Sequence, residues 1–312
     1  MRVAAIDLGT NTIRLLVGDA DGAGGYRPVL SAQEITRLGQ GLLPTRCLQP
    51  EPMQRSLAVL RRFREMAASQ GAVAVAAVGT SALREAANRS GFLDMALRET
   101  GLEVRVISGD EEARLTLLGV RNALRRLPDR FVMLDIGGGS TELLLAHGQD
   151  VRAAVSTGLG VVKLTEAHVK SDPPTAVELG ALRDQVAARI AMVGARDLPA
   201  LGQGEILVGT AGTVTTLAAI DLSLEPYDPV RVTGHHLSRV RVAELLERLA
   251  RLPGRERRQI PGLEPGRADV IVAGTIVCLG IMDGLKFPDL TVSDGGLREG
   301  IMLDLLASAR KT

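Results

Sequence analysis

Residues 3–17, VAAIDLGTNTIRLLV, and residues 131–145, FVMLDIGGGSTELLL, are two copies of one pattern at an offset of 128 positions (135 − 7). Each copy runs an apolar strand into an aspartate, turns through glycine with Thr, Asn or Ser, and returns as a second apolar strand. Asp7 aligns with Asp135, Gly9 with Gly137, Thr12 with Ser140, and Leu15 and Leu16 with Leu143 and Leu144. The spacing is too long for a solenoid repeat and suits two related domains. A strand, a glycine turn with bare amides and a return strand suit phosphate oxygens. In the second copy Gly137, Gly138 and Gly139 are expected to let the chain turn with φ > 0. Ser140 and Thr141 add hydroxyls there, while Asp135 and Glu142 flank the turn, where they can hold a hard divalent cation through oxygen. An ordinary glycine-turn hairpin is the plain alternative for either copy alone. The duplication argues against it, and two such hairpins facing each other across a domain cleft would grip one polyanion from both sides.

The 312 residues are enough for two domains with full cores. Aromatics are only 2% and tryptophan is absent, so those cores must be packed from Leu, Val, Ile and Ala. A net charge of +1 argues against a dedicated nucleic-acid binder. Cys47 and Cys278 stand alone, and His147, His168, His235 and His236 lack zinc-ligand spacing. No apolar run approaches the roughly 20 residues that span a membrane, and no leader precedes the strand that starts at Arg2. The expectation is a soluble cytoplasmic protein.

Further along, other turns repeat the theme. Residues 26–36 read as a strand, and Gly39-Gln40-Gly41 as a connection rather than a loop at the cleft. Met53, Leu57, Leu60 and Phe63 recur at helical spacing and predict a helix over 51–70. Residues 72–89 read as a strand, a Gly79-Thr80-Ser81 turn and a helix whose polar start attracts anions. Arg84 lies one turn in; its fork suits phosphate, or it is a surface arginine behind an ordinary cap. Residues 102–120 give a strand and a helix, with Ser108 and Glu111 at capping-box spacing. Glu112 has no such local duty, and it is either a general base or simple decoration of the helix dipole. After an Arg-rich boundary at 121–130 and the second hairpin, Gly158 and Gly160 precede a helix. Residues 175–193 form a long amphipathic one. Residues 209–220 open a helix through Gly209, Thr210, Gly212 and Thr213, a further anion-ready amide cluster. The stretch EPYDPVRVTGHHLS reads as irregular, and residues 251–262 as a basic loop that faces water or follows a polyanion. Residues 267–282 are helical, with small residues on one face, and 290–302 run from a strand through Gly295-Gly296 into the last helix.

Taken together, DLGTNTIRLLV, GTSALREAAN, ISGDEEARL, DIGGGSTEL, GTAGTVTTLAAI, GRADVIVAG and VSDGGLREGI resemble, in order, the motifs of the exopolyphosphatase and guanosine-pentaphosphate phosphohydrolase family. That family falls in the acetate/sugar kinase, heat-shock and actin superfamily. The resemblance implies an α/β fold of two ribonuclease-H-like (actin-like ATPase) domains, each with a mixed sheet flanked by helices, around a central cleft. It divides the chain into 1–125, rejoined by the C-terminal helix 297–312, and 126–296. It implies Glu112 as the base for an attacking water, with Asp135 and Glu142 catalytic as well, and Asp7, Asp135 and Glu142 as magnesium ligands. Thr10, Asn11, Thr12, Arg84, Gly137, Gly138, Gly139, Ser140 and Thr141, with Gly212 and Thr213, would hold phosphate. It also implies a homodimer. Longer members carry a further helical region that this chain does not reach, so the resemblance does not extend to a grip on long polyphosphate. Where the family often has His-Gly this sequence has Thr233-Gly234, and His235 and His236 receive no role.

The expected reaction is Mg2+-dependent hydrolysis of a terminal phosphoanhydride, of inorganic polyphosphate first and of pppGpp second. A kinase of the same superfamily and a non-enzymatic alarmone sensor are the rival readings. The first would make ADP only with an acceptor, and the second would bind nucleotide without releasing phosphate.

Overall fold

The computed structural model describes residues 1–196 and 205–309. They divide into two compact units, 1–122 with the chain from Gly295 onward, and 123–294.

The first unit is built on a central strand, β1 (Arg2–Leu8), buried along nearly its whole length because its apolar run leaves no polar face. β2 (Thr12–Ala20) returns antiparallel to it and β3 (Tyr26–Ile35) continues the meander. A one-turn α1 (Leu42–Thr45) leads to α2 (Pro50–Ser69), which starts with proline in its first turn and buries Leu57, Leu60, Phe63 and Ala67 on one stripe. Each such buried leucine or phenylalanine contributes about 1.5–3 kcal/mol. β4 (Ala74–Gly79) lies parallel to β1 and leads into α3 (Ser81–Glu85), α4 (Arg89–Thr100), β5 (Val104–Val106) and α5 (Gly109–Ala123). The sheet order is β3-β2-β1-β4-β5. Side chains alternate across it: Ala4, Ile6 and Leu8 join the core of α2 and α4, while Val3 and Ala5 join a second core with Ile107 and Leu115.

One helix expected after β4 is two. Ala86 is extended at φ −73°, ψ 124°. Asn88 pairs both ways with the Leu48 backbone, taking its N–H at 2.8 Å and donating to its carbonyl at 3.0 Å. That long-range pair offsets the helical bonds lost at the break.

The second unit repeats the plan. β6 (Arg130–Ile136), β7 (Thr141–His147) and β8 (Asp150–Ser156) form an antiparallel meander, and α6 (Val161–His168) and α7 (Ala176–Arg196) follow. β9 (Leu207–Thr210) runs parallel to β6 and enters α8 (Ala211–Asp221). Then come α9 (Pro229–Val232), β10 (His236–Ser238), α10 (Arg239–Arg251), α11 (Gly254–Arg257), α12 (Ile271–Leu285) and β11 (Asp289–Val292). The order β10-β11-β9-β6-β7-β8, read from its far end, matches the first sheet strand for strand, with β10 added at the edge. The last helix, α13 (Leu297–Ala309), packs on β1, β2 and β4 of the first unit.

Two stretches differ from the sequence reading. The segment read as irregular holds α9, capped by Asp228, and β10, whose partner β11 lies more than fifty residues away. A three-residue strand carries too little period-2 pattern to be read locally. In the basic loop, Arg257 is turned inward at 3% exposure and pairs with Asp172 at 2.8 Å. Of the small residues read on one face of α12, Gly274 has a packing cause: a Cβ there would lie 2.7 Å from Thr213 of α8.

Glu178, in the first turn of α7, ties down the preceding loop. The Ser171 hydroxyl first, then the amides of Thr175 and Lys170, hold its carboxyl at about 2. A depressed folded value means the contribution is complete above the unfolded value, about 4.3, and is lost as pH falls toward 2. Glu178→Gln is therefore expected to flatten the acid limb of thermal stability between pH 5 and 2, in melts run across that range.

Candidate active site

Parallel pairing brings the turns of each sheet to one end, the carboxyl ends of the parallel strands, where ligands of such sheets bind. In the first unit Leu8 pairs with Gly79 and Gly79 with Val106. The Gly9 turn, the Thr80-Ser81 turn and the start of α5 therefore share that end. In the second unit Asp135 pairs with Thr210, and Gly209 with Val292, so the glycine turn, the start of α8 and Ser293-Asp294 do the same.

The two hairpins close with the same turn bond. Gly9 N–H donates to the Thr12 carbonyl at 3.1 Å, and Gly137 N–H to that of Ser140 at 2.9 Å. A Cβ at either glycine would stand 3.0 Å from that same carbonyl oxygen. Asp7 faces Arg14 across one ladder, and Asp135 faces Glu142 across the other.

In the first unit the hairpin tip is pinned through its carbonyls. Asn11 O accepts from Thr36 and Arg37 N–H, and Thr10 O from Gly39 N–H. Gly39, read as a mere connection, lies against Thr10, where a Cβ would clash with the threonine methyl at 2.3 Å. The amides of Thr10 and Asn11 take no partner among the described residues, and the Asn11 side-chain oxygen is buried without one. Behind the tip, Asp7 is 8% exposed. Burial pushes its carboxyl up to about 6, with Glu112 and Glu299 adding to the rise and Arg14 and Arg298 opposing it.

Glu112 sits in the first turn of α5, nine-tenths buried, with its N–H on the Ser108 carbonyl at 3.0 Å. Arg84 Nη1 donates to Glu112 Oε2 at 2.5 Å and to the Ile107 carbonyl at 3.2 Å. Burial raises the Glu112 carboxyl above its ordinary value, against the pull of Arg84. Only half of the expected capping box forms. Ser108 Oγ accepts the Glu111 N–H at 3.2 Å, but the Glu111 carboxylate leaves for Arg105 at 2.5 Å. The neighbouring glutamates thus divide: Glu111 pairs at the surface, and the buried Glu112 pairs with the half-buried Arg84.

Glu299, which with Asp294 and Arg298 flanks the Gly295-Gly296 turn in the sequence, has no role assigned from sequence. It is buried, takes the Gly296 N–H at 2.8 Å, and holds Arg298 through two bonds of 2.8 and 2.6 Å, while Arg298 also reaches Ser31 at 2.8 Å. The Gly295-Gly296-x-x-Glu spacing, a helix start with a carboxylate three residues in, was the signal that could have found it.

In the second unit Gly137, Gly138 and Gly139 all lie outside the left-handed region, contrary to expectation. Their backbone instead supports the start of α6. Gly137 and Gly138 carbonyls accept the first amides of α6, Val161 at 3.1 Å and Val162 at 2.9 Å, and a Cβ on Gly160 would fall 2.1 Å from the Gly139 carbonyl carbon. The amides of Gly138, Gly139 and Ser140 take no partner among the described residues. Thr141 is corrected from its expected role: it is fully buried, and its hydroxyl donates to the Leu159 carbonyl at 2.7 Å. Glu142 accepts from Ser156 Oγ at 3.0 Å. At the start of α8, Arg267 lies over Gly212, where a Cβ would meet its Nη1 at 1.7 Å, and Thr213 packs against Gly274.

Among the described residues no group of three or more His, Cys, Asp or Glu could hold a metal. Magnesium asks for less, since it keeps waters and takes one or two carboxylates plus substrate phosphates. Asp135 and Glu142, directly opposite on adjacent strands and so on one face, fit that requirement.

Two mixed sheets of matching order, flanked by helices, define the actin-like ATPase class of fold. Within it, the chain belongs to the Ppx/GppA phosphatase family, whose model matches residues 17–309. It is 40% identical over 320 aligned positions to Exopolyphosphatase 2 of Mycobacterium tuberculosis, covering 97% of this chain and 98% of that one. The crystal structure of the Aquifex aeolicus Ppx/GppA family member is 32% identical with a TM-score of 0.82, over 100% of this chain and 99% of that one. An exopolyphosphatase from Cytophaga hutchinsonii superimposes with a TM-score of 0.87 at 26% identity, over 99% and 98% of the two chains. No helix among the described residues is long and apolar enough to cross a membrane.

Proposed function

We propose that this protein is an exopolyphosphatase, which hydrolyses the terminal phosphoanhydride of inorganic polyphosphate and releases orthophosphate. The observation that carries the proposal is the 40% identity with Exopolyphosphatase 2 along nearly the full length of both chains. The local chemistry supports it. Phosphoryl transfer needs positioning and charge neutralisation more than covalent participation. Glu112 takes a proton from water as its oxygen bonds to the terminal phosphorus. The bridging P–O bond breaks, and the shortened chain leaves with the electron pair. Arg84 and the open amides of Thr10 and Asn11 orient the terminal phosphoryl group, and those of Gly138, Gly139 and Ser140 are further phosphate donors. In the second unit Asp135 and Glu142 are the residues that would hold Mg2+, which when bound would offset charge on the phosphate oxygens.

The alternative substrate is pppGpp, favoured by the double name of the family; it ends in the same bond. The working form is proposed as a homodimer in the cytoplasm. Free Cys47 and buried Cys278, whose thiol burial pushes up to about 12, suit a reducing compartment. The experiment that tests the proposal is orthophosphate release from polyphosphate, set beside pppGpp and ATP.

A further inference from the structure

The guanidinium of Arg84 is used unevenly. Nη1 alone carries both internal contacts, to Glu112 and to the Ile107 carbonyl. Nε and Nη2 take no partner among the described residues, and neither counts among the sealed, unsatisfied atoms of the molecule. One arginine thus holds a buried carboxylate with one nitrogen and keeps a two-donor edge open to solvent. That edge is the half of a guanidinium that matches two phosphate oxygens. Its placement is set by structure rather than by a mobile side chain. α3 ends just after Arg84, and the Ile107 carbonyl belongs to the loop that starts α5.

We propose that Arg84 is a positioning residue that couples substrate to the base. Its Nε–Nη2 edge takes the terminal phosphoryl group while Nη1 stays on Glu112, so a bound chain end draws the arginine's charge away from the carboxylate. Glu112 then becomes a stronger proton acceptor only when a phosphoryl group is in place. The proposal rests on Glu112 as the base. Its electrostatics are simple. A neighbouring cation favours the charged carboxylate, and at Glu112 that pull already opposes the larger effect of burial. A phosphate on the other edge cancels part of the pull, and burial prevails. The other charges facing this region are Asp7 on β1, whose own surroundings are Arg14 on β2 and Arg298 and Glu299 on α13. On α5 itself Glu111 is engaged with Arg105.

The test is a pair of pH profiles on polyphosphate, kcat/KM for the free enzyme and kcat for the complex. In the wild type the acid limb of kcat is expected about one unit above that of kcat/KM. In Arg84→Gln the free-enzyme limb rises to meet it and the gap closes, because the free carboxylate has lost its cation. Arg84→Lys keeps one charge without the two-donor edge; it should raise KM and shrink the gap, and it supplies the readout if the glutamine variant is too slow to titrate. A gap of unchanged size in both variants would assign it to direct repulsion by substrate and overturn the coupling, as would a wild type with no gap. If Glu112→Gln retains wild-type kcat, the base assignment itself fails, whatever the gap.

Discussion

Glu112→Gln is expected to lower kcat on polyphosphate by about 10²–10⁴-fold, the usual loss when a general base is removed. Affinity for the chain should stay close to wild type, because the phosphate donors proposed here are backbone amides and Arg84. The amide is nearly isosteric and still accepts from Arg84 Nη1, so the pair that fixes the α5 start survives while the proton acceptor is gone. Glu111→Gln is the control. Its carboxylate is committed to Arg105 at the surface, and exposed pairs of that kind are worth about 0–1 kcal/mol. Equal losses from the two variants, or a harmless Glu112→Gln, would remove Glu112 from the mechanism.

Gly300→Ala carries the largest expected effect on stability. A Cβ at Gly300 would lie 1.9 Å from the Leu115 carbonyl oxygen, and one at Gly119 would lie 1.9 Å from that of Gly296. In both cases the obstacle is backbone, so the α5 and α13 helices must separate. Overpacking of this kind costs about 1–3 kcal/mol, and α5 carries Glu112 at its start. Gly300→Ala should therefore depress the melting temperature and the turnover together. Gly91→Ala, in α4 with nothing within 4 Å of the added methyl, should instead stabilise by about 0.5–1 kcal/mol through helix propensity. Thermal melts of the two alanine variants against wild type check both signs. A Gly300→Ala protein as stable as wild type would mean that the helices are not in contact at these glycines.

The fold was legible where the chain repeats itself. Asp7 and Asp135, read as equivalent from spacing alone, occupy equivalent registers opposite Arg14 and Glu142. The apolar strand ending in aspartate lies inside each sheet, β1 in the first and β6 in the second, where both its faces are covered. What stayed hidden depends on contacts between distant residues. Asn88 breaks a helix by pairing with Leu48, β10 exists only against β11, and Arg257 turns inward to Asp172. Within the site, residue types were readable but their commitments were not. Thr141 reads as a ligand hydroxyl until Leu159 is found accepting its proton. Gly137, Gly138 and Gly139 read as positive-φ turn residues, whereas the start of α6 presses on their backbone. Arg84 and Glu112 were each read alone, and nothing in a spacing of 28 residues announces that they meet.

The most direct measurement is orthophosphate release by the purified protein from polyphosphate, pppGpp and ATP in water enriched in ¹⁸O. Rapid release from polyphosphate with one ¹⁸O in each orthophosphate is expected, with slower release from pppGpp and little from ATP. Release only when an acceptor is added, with ADP as the other product, would contradict the proposed hydrolysis, as would binding of polyphosphate with no phosphate released.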